Sequence, residues 1–172
     1  VSPQPGSPHY TAILTPSGCK GGGVGILLSP QCTFQVLTSP PSLLFPSFES
    51  HCLRLFSPIS LRIAVIYRPP GPVSNFLDNF SSWLTFFLSS EIPTIILGDF
   101  NIPVNLNSPA TSQLLTLTSF GLTQSTNTST HSNGNTLDRI FSHLCTSSIL
   151  TNALLPLSDH SLIRFSLSLL IF

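Results

Sequence analysis

Short stretches in which apolar residues cluster or alternate recur along the chain. They are rich in β-branched and aliphatic residues, and proline, glycine or polar residues end them. We predict strands over residues 24–28, 61–67, 94–97, 137–141 and 162–170. The Ser/Thr/Asn-rich stretch 123–136 is strand or loop in character.

A different period begins after Asn75. Aromatic residues then recur three or four positions apart, which is the spacing of one helix face: Phe76, Phe80, Trp83 and Phe87. This pattern predicts a helix with a core-facing side, and Asn75 is placed to be its N-cap. A second, short helix is predicted from Ser108 to a stop at Gly121. Strands that alternate with helices favour a layered α/β fold, in which ligands gather beyond strand ends.

The composition fits one domain, which we place at residues 11–172 after a loop over residues 1–10. Of 172 residues, 41% are hydrophobic and only 7% are charged, and the formal net charge is zero. Lys20 is the sole lysine, so charge alone does not predict nucleic-acid binding. No apolar run approaches the roughly 18 residues of a transmembrane helix. The four cysteines are scattered without a CxxC pair, so we expect reduced thiols.

Three of the six acidic residues lie in compact polar signatures that adjoin predicted strands. Asp99 lies in Gly-Asp-Phe-Asn, Asp138 in Asn-Thr-Leu-Asp-Arg, and Asp159 in Ser-Asp-His. Taken singly, each has an ordinary structural interpretation: an Asx turn at Asp99, a surface or turn aspartate at Asp138, and a strand or helix cap at Asp159. Tyr67, at the end of a predicted strand, would alone be a packing tyrosine. Their occurrence together is what indicates function.

Four motifs in this order carry a family resemblance: Tyr67-Arg68-Pro69-Pro70, Gly98-Asp99-Phe100-Asn101, Thr136-Leu137-Asp138 and Ser158-Asp159-His160. Together they resemble the endonuclease domains of LINE-like, non-LTR retrotransposons, within the endonuclease/exonuclease/phosphatase superfamily. The similarity runs from about residue 11 to about residue 169. It implies a DNase I-like fold, an α/β sandwich of two packed mixed β-sheets flanked by helices.

The resemblance also implies roles for six residues in phosphodiester hydrolysis. His160 would be the general acid/base or transition-state stabiliser, and Asp138 would orient its imidazole. Asp99 would position or deprotonate the attacking water. Asn101 would hold the phosphate, and Tyr67 would donate to a phosphate oxygen. Asp159 would lie near a divalent ion, directly or through water, with Mg²⁺ expected and Mn²⁺ as the alternative.

The implied setting is a retrotransposon polyprotein. Its partners would be DNA, contacted through the phosphate backbone, and a reverse transcriptase domain downstream. A DNA substrate would place the protein in the nucleus.

One departure from the family concerns the metal. The family brings an asparagine and its main metal-ligating glutamate on strands ahead of the glycine-rich segment, whereas this chain has no acidic residue before Glu49. It also has no methionine. We therefore expect an N-terminally truncated domain that lacks its first strands, binds Mg²⁺ weakly and is inactive as a fragment.

Alternative functions within the same fold remain open: a phosphodiesterase acting on inositol phosphates or lipids, or a non-catalytic remnant. The run Gly21 to Gly25 precedes a predicted strand and lacks a following Lys-Ser or Lys-Thr, which argues against a nucleotide-binding loop. We expect the remaining histidines to be ordinary surface or half-buried residues without metal-ligand partners: His9, His51, His131 and His143.

Overall fold

The computed structural model describes residues 10–16, 23–40, 45–103 and 119–169. Within them lie one helix, α1 (Ser74–Phe87), and ten strands. The strands are β1 (Thr11–Pro16), β2 (Gly23–Leu28), β3 (Thr33–Leu37), β4 (Glu49–Ser57), β5 (Leu61–Tyr67), β6 (Thr94–Asp99), β7 (Thr123–Gln124), β8 (Asp138–His143), β9 (Cys145–Leu154) and β10 (Ser161–Leu169).

Six strands form one central mixed sheet, in the order β3-β4-β5-β6-β8-β7. Strands β5 and β6 pair in parallel, and all the other neighbours pair antiparallel. A parallel pair needs a crossover connection, and α1 supplies it between β5 and β6. The β5-α1-β6 unit therefore sets the centre of the sheet.

Helix α1 covers one face of this sheet with the aromatic side predicted from the sequence. Phe76, Phe80, Trp83 and Phe87 are 0–3% exposed. Their rings stack in succession, with centroids 5.1, 5.5 and 4.6 Å apart. They pack against the inward side chains of the sheet, including Ala64, Ile66 and Ile96. The predicted N-cap at Asn75 is wrong: the helix begins at Ser74 after Val73, which makes no side-chain capping bond.

Two antiparallel hairpins, β1-β2 and β9-β10, lie over the opposite face of the central sheet. A second apolar cluster joins them to it, with Leu28 and Cys145 from the hairpins against Leu53, Ile95 and Ile140 from the sheet. In the described residues these hairpins are separate two-stranded sheets. Within the described part of the chain the fold thus has three layers, helix, sheet and hairpins, which confirms the layered α/β architecture.

The five predicted strands are confirmed, as β2, β5, β6, β8 and β10. Four strands were not predicted: β1, β3, β4 and β9. The helix predicted from Ser108 lies outside the described residues up to residue 118. Cys32, Cys52 and Cys145 are free thiols, as expected, and Cys19 lies outside the described residues. Among the described residues, no helix has the length and apolar character needed to span a bilayer.

Candidate active site

Three predicted site residues lie in one row across the central sheet. Tyr67, the last residue of β5, is in register with Asp99, the last residue of β6. Asp99 is in turn in register with Asp138, the first residue of β8. Side chains in register point to the same face of a sheet. Because side chains alternate along a strand and Ile95 and Ile140 belong to the hairpin-side cluster, the row also faces the hairpins.

The backbone beside Asp99 allows an unusually close approach of two strands. Gly98 has φ +146°, and a Cβ atom there would lie 1.8 Å from the carbonyl oxygen of Ile66. Only glycine fits such a position, because any other residue would overlap the backbone of β5. The glycine of the Gly-Asp-Phe-Asn motif is therefore required to bring Asp99 alongside Tyr67.

Beyond Asp99 the chain makes a tight turn that binds the Asp99 carboxylate. Asn101 has φ +48° and donates to both carboxylate oxygens at 2.9 Å, from its backbone N–H to Oδ1 and from Nδ2 to Oδ2. Nδ2 also donates to the carbonyl oxygen of Arg68 at 2.8 Å. Burial raises the pKa of Asp99, the bonds from Asn101 oppose that effect, and the charge of Asp138 adds to it.

Arg68 braces this turn, and its role was not predicted. Its side chain is buried, 1% exposed, and lies over the ring of Phe76. The guanidinium donates to four backbone carbonyls: Phe100 at 3.3 Å, Asn101 at 3.1 Å, Pro72 at 3.1 Å, and Gly71. The sequence held one signal for this arrangement, an arginine directly before Pro-Pro-Gly-Pro in a chain with few charges.

His160 reaches the row from the hairpin layer. Its Nδ1–H donates to Asp138 Oδ2 at 2.9 Å, so Nε2 is left for other contacts. Burial by itself lowers the pKa of His160, but the hydrogen bond and charge of Asp138 outweigh it, and the pKa lies above its ordinary value. The charges of Asp99 and Asp159 act in the same direction. The structure thus brings together a carboxylate-oriented imidazole and a second, half-buried carboxylate, that of Asp99.

Asp159 lies at the outer side of the site, with its side chain 68% exposed. Its Oδ2 is 3.3 Å from Nε2 of His131, whose side chain is 13% exposed. His131, Asp159 and His160 each offer a ligand atom within 4.8 Å of the others. The expectation that His131 is an ordinary histidine without such partners is therefore wrong. Sequence spacing could not show it, because 26 residues lie between His131 and Ser158-Asp159-His160 in the chain.

The sequence profile of the Endonuclease/Exonuclease/phosphatase family matches residues 2–160. The chain belongs to this family. A family protein from Bacteroides thetaiotaomicron superposes with TM-score 0.62 at 12% identity, covering 92% of this chain and 75% of that one. The 3′ phosphatase NExo from Neisseria, solved with a product DNA hairpin, has TM-score 0.63 at 15% identity and coverages of 88% and 77%. No curated protein matches the sequence.

The cytolethal distending toxin of Haemophilus ducreyi has the same fold, with TM-score 0.54 at 15% identity, covering 94% of this chain and 76% of that one. Members of the endonuclease/exonuclease/phosphatase family are generally hydrolytic nucleases and phosphatases. The superfamily and the DNase I-like fold expected from the four motifs are therefore confirmed.

A groove of about 240 Å³ leads to the paired Asp138 and His160 of this family member. It opens between the central sheet and the β9-β10 hairpin. Its walls are largely apolar: Leu97, Ile140, Leu162, Ile163 and Phe165. A ligand in the groove would therefore meet both these apolar side chains and the polar pair.

Proposed function

We propose that the chain is the DNA-nicking endonuclease domain of a LINE-like retrotransposon, acting by metal-dependent phosphodiester hydrolysis. The observation that carries this proposal is the Asp138–His160 pair at 2.9 Å, set beside the half-buried Asp99. A hydrolase that attacks a phosphate needs a group to move protons and a group to aim water, and these residues fit both needs.

In this proposal His160 works from Nε2, because Asp138 holds Nδ1. The carboxylate fixes the tautomer and the ring plane, and it favours the protonated imidazole. A raised pKa keeps His160 protonated to higher pH than an ordinary histidine, which favours its role as a donor to a phosphate oxygen.

Asp99 orients the attacking water. Asn101 and Tyr67 retain their proposed contacts to the phosphate, although both Nδ2 hydrogens of Asn101 are engaged by Asp99 and Arg68 in the structure. One of these two bonds must open before Asn101 can donate to a phosphate oxygen. Until then Asn101 acts on Asp99, by holding both carboxylate oxygens.

The donor chemistry of Asp159 fits Mg²⁺, because that ion prefers carboxylate oxygen and keeps several waters. The Asp159 carboxylate is mostly exposed, and one of its oxygens faces His131, which leaves the other for a hydrated ion. When bound, the ion would stabilise charge on the phosphate. A single carboxylate holds Mg²⁺ weakly, so we propose that a further acidic ligand, from the reading frame ahead of Val1, completes the site.

A second candidate is a DNA 3′ phosphatase. The observation in its favour is the fold shared with the Neisseria 3′ phosphatase at TM-score 0.63. The same Asp138–His160 pair would serve phosphomonoester hydrolysis, so the two candidates differ in substrate and not in catalytic residues.

The deciding experiment is supercoiled-plasmid nicking in Mg²⁺, with this chain and with a version extended upstream in its reading frame. His160→Ala and Asp138→Asn should abolish nicking, whereas Asp78→Asn, an exposed position on α1, should leave it unchanged. Release of phosphate from a 3′-phosphorylated oligonucleotide without nicking would favour the phosphatase. Nicking that survives His160→Ala would refute the proposed site, and no hydrolysis by a folded extended protein would favour a non-catalytic remnant.

The retrotransposon setting is tested separately by the reading frame. It requires a reverse transcriptase domain downstream, and nuclear localisation of the expressed polyprotein. A frame that encodes no such domain would reject the setting and leave the nuclease proposal intact.

A further inference from the structure

The backbone around His131 is paired with the backbone around His160. Two hydrogen bonds of 2.8 Å flank these residues: Ser161 N–H to the Thr130 oxygen, and Ser132 N–H to the Asp159 oxygen. His131 and His160 therefore form an antiparallel bridge in which their side chains lie close together on one face. The two rings meet edge to face, with centroids 5.0 Å apart and planes at 84°.

Hydrogen bonds also settle which nitrogen of His131 carries the proton. The backbone N–H of Asn133 donates to Nδ1 at 3.1 Å, so Nδ1 must offer a lone pair. The neutral ring then carries its proton on Nε2, which is the atom that faces Asp159 Oδ2 at 3.3 Å. His131 is thus a donor to the Asp159 carboxylate, fixed in that tautomer by its own loop.

We propose that His131 is a positioning residue for the hydrolytic site. Its Nε2–H holds the Asp159 carboxylate, and its ring packs edge to face against His160 and so restricts the plane of that imidazole. The inference rests on the proposed function, because Asp159 and His160 have their roles only there. Ligating carboxylates are commonly held by such outer hydrogen bonds, whose loss weakens metal binding.

A cation bound directly by His131, Asp159 and His160 is the competing interpretation of the same cluster. Such a cation would need the Nε2 lone pair of His131, and the proton would then move to Nδ1. There it would point at the N–H of Asn133, which places two donors 3.1 Å apart. The hydrogen-bond pattern therefore favours a donor over a ligand at His131.

Two substitutions separate the two contacts of His131. His131→Gln keeps an N–H donor near the Nε2 position and loses the ring. His131→Phe keeps a ring against His160 and loses the donor. Each is compared with wild type by thermal unfolding, so that a general loss of structure is recognised.

The first measurement is NMR of the full chain, which needs neither metal nor DNA. Long-range ¹H–¹⁵N spectra should show His131 protonated on Nε2. The side-chain carboxyl ¹³C resonance of Asp159 should move in His131→Phe and stay near its wild-type position in His131→Gln. A proton on Nδ1, or an Asp159 resonance indifferent to both substitutions, would overturn the inference even if the protein proves to be a nuclease.

The second measurement is Mn²⁺ binding by water-proton relaxation. His131→Phe should weaken binding by about 10–100-fold, and His131→Gln should stay within about threefold of wild type. Equal losses in both variants would refute the role of the donor. Tighter Zn²⁺ binding by wild type than by His131→Gln, with loss of the Nε2 proton, would show that His131 is a ligand. Mn²⁺ binding is measured on the version extended upstream in its reading frame. If that version binds no Mn²⁺, the metal part of the proposed function fails, and the NMR result still decides the hydrogen bond.

Discussion

Gly98 provides a strict test of how the site is built, because a second glycine serves as its matched control. Gly71 has nearly the same backbone angle, φ +143° against +146°. A Cβ atom at Gly71 would meet nothing within 4 Å, whereas at Gly98 it would lie 1.8, 2.7 and 2.8 Å from backbone atoms of Ile66. Alanine at either position meets the same unfavourable φ, and only Gly98→Ala adds a collision.

The two costs can be given magnitudes. A residue held in a sparsely populated backbone region costs about 1–3 kcal/mol, which we expect for Gly71→Ala. Non-bonded carbon atoms pack best at about 3.5 Å, so a Cβ at position 98 must push β5 from β6 by more than 1 Å. The β5-β6 bonds and the Tyr67–Asp99 register would then be lost. We expect Gly98→Ala to cost more than about 4 kcal/mol, a large part of the stability of a domain.

Urea unfolding measures both variants, with the fluorescence of Trp83 as the probe. Trp83 is the sole tryptophan and is fully buried, so its emission reports the core between α1 and the central sheet. Linear extrapolation gives each free energy of unfolding. Equal losses for Gly98→Ala and Gly71→Ala would refute the reasoning, since they would show that β5 and β6 do not approach closely at position 98.

Three further predictions follow. Arg68→Ala removes the buried donor to four carbonyls and should lower the free energy of unfolding, measured in urea, by about 3–5 kcal/mol. The control Arg54→Ala, whose guanidinium lies over the Phe56 ring, should lower it by about 1 kcal/mol or less. Equal losses would contradict the bracing role of Arg68. Burial raises the pKa of Cys52 to about 12, so iodoacetamide at pH 8 should label half-buried Cys32 faster than Cys52. Mass spectrometry measures the two rates, and similar rates would contradict this prediction. Two of the six basic side chains, Arg68 and Arg139, are buried, so at most four can neutralise DNA phosphates. The slope of log K against log salt for DNA binding, measured by fluorescence anisotropy, should therefore not exceed about 4 in magnitude. A steeper slope would contradict this prediction.

The strands that could be predicted are those whose apolar residues cluster. Strand β9 could not, because Ser, Thr and Asn occupy many of its positions and half-exposed and exposed residues alternate along much of it. It faces the core on one side only, which weakens the apolar signal. Strand β4 contains Glu49, His51 and Arg54 in a central position of the sheet, so its charged residues concealed a strand whose middle is buried.

Some residues of the candidate site could likewise be predicted from the sequence, and others could not. Asp99, Asp138 and Tyr67 were predictable because each ends or begins an apolar strand, and strand pairing then brings such ends together. His131 was not predictable, because its contacts to Asp159 and His160 arise from a backbone bridge between distant segments. A residue whose partner is set by tertiary pairing leaves no spacing pattern in the sequence.

Two of the few basic residues of the chain are buried at the turn after β6, where they bind backbone carbonyls. Arg139 is 3% exposed, burial lowers its pKa to about 10, and it donates to the Ile102 oxygen at 2.7 Å. Arg68 donates to the carbonyl oxygens of the two preceding residues, Phe100 and Asn101. Two buried arginines therefore hold three consecutive residues beyond Asp99. The oxygens that accept from these two buried guanidinium groups in the turn belong to backbone carbonyls, whose dipoles compensate the arginine charges without adding another carboxylate beside Asp99. A chain with six basic residues thus commits two of them to this turn, and a preorganised site depends on such fixed supporting contacts.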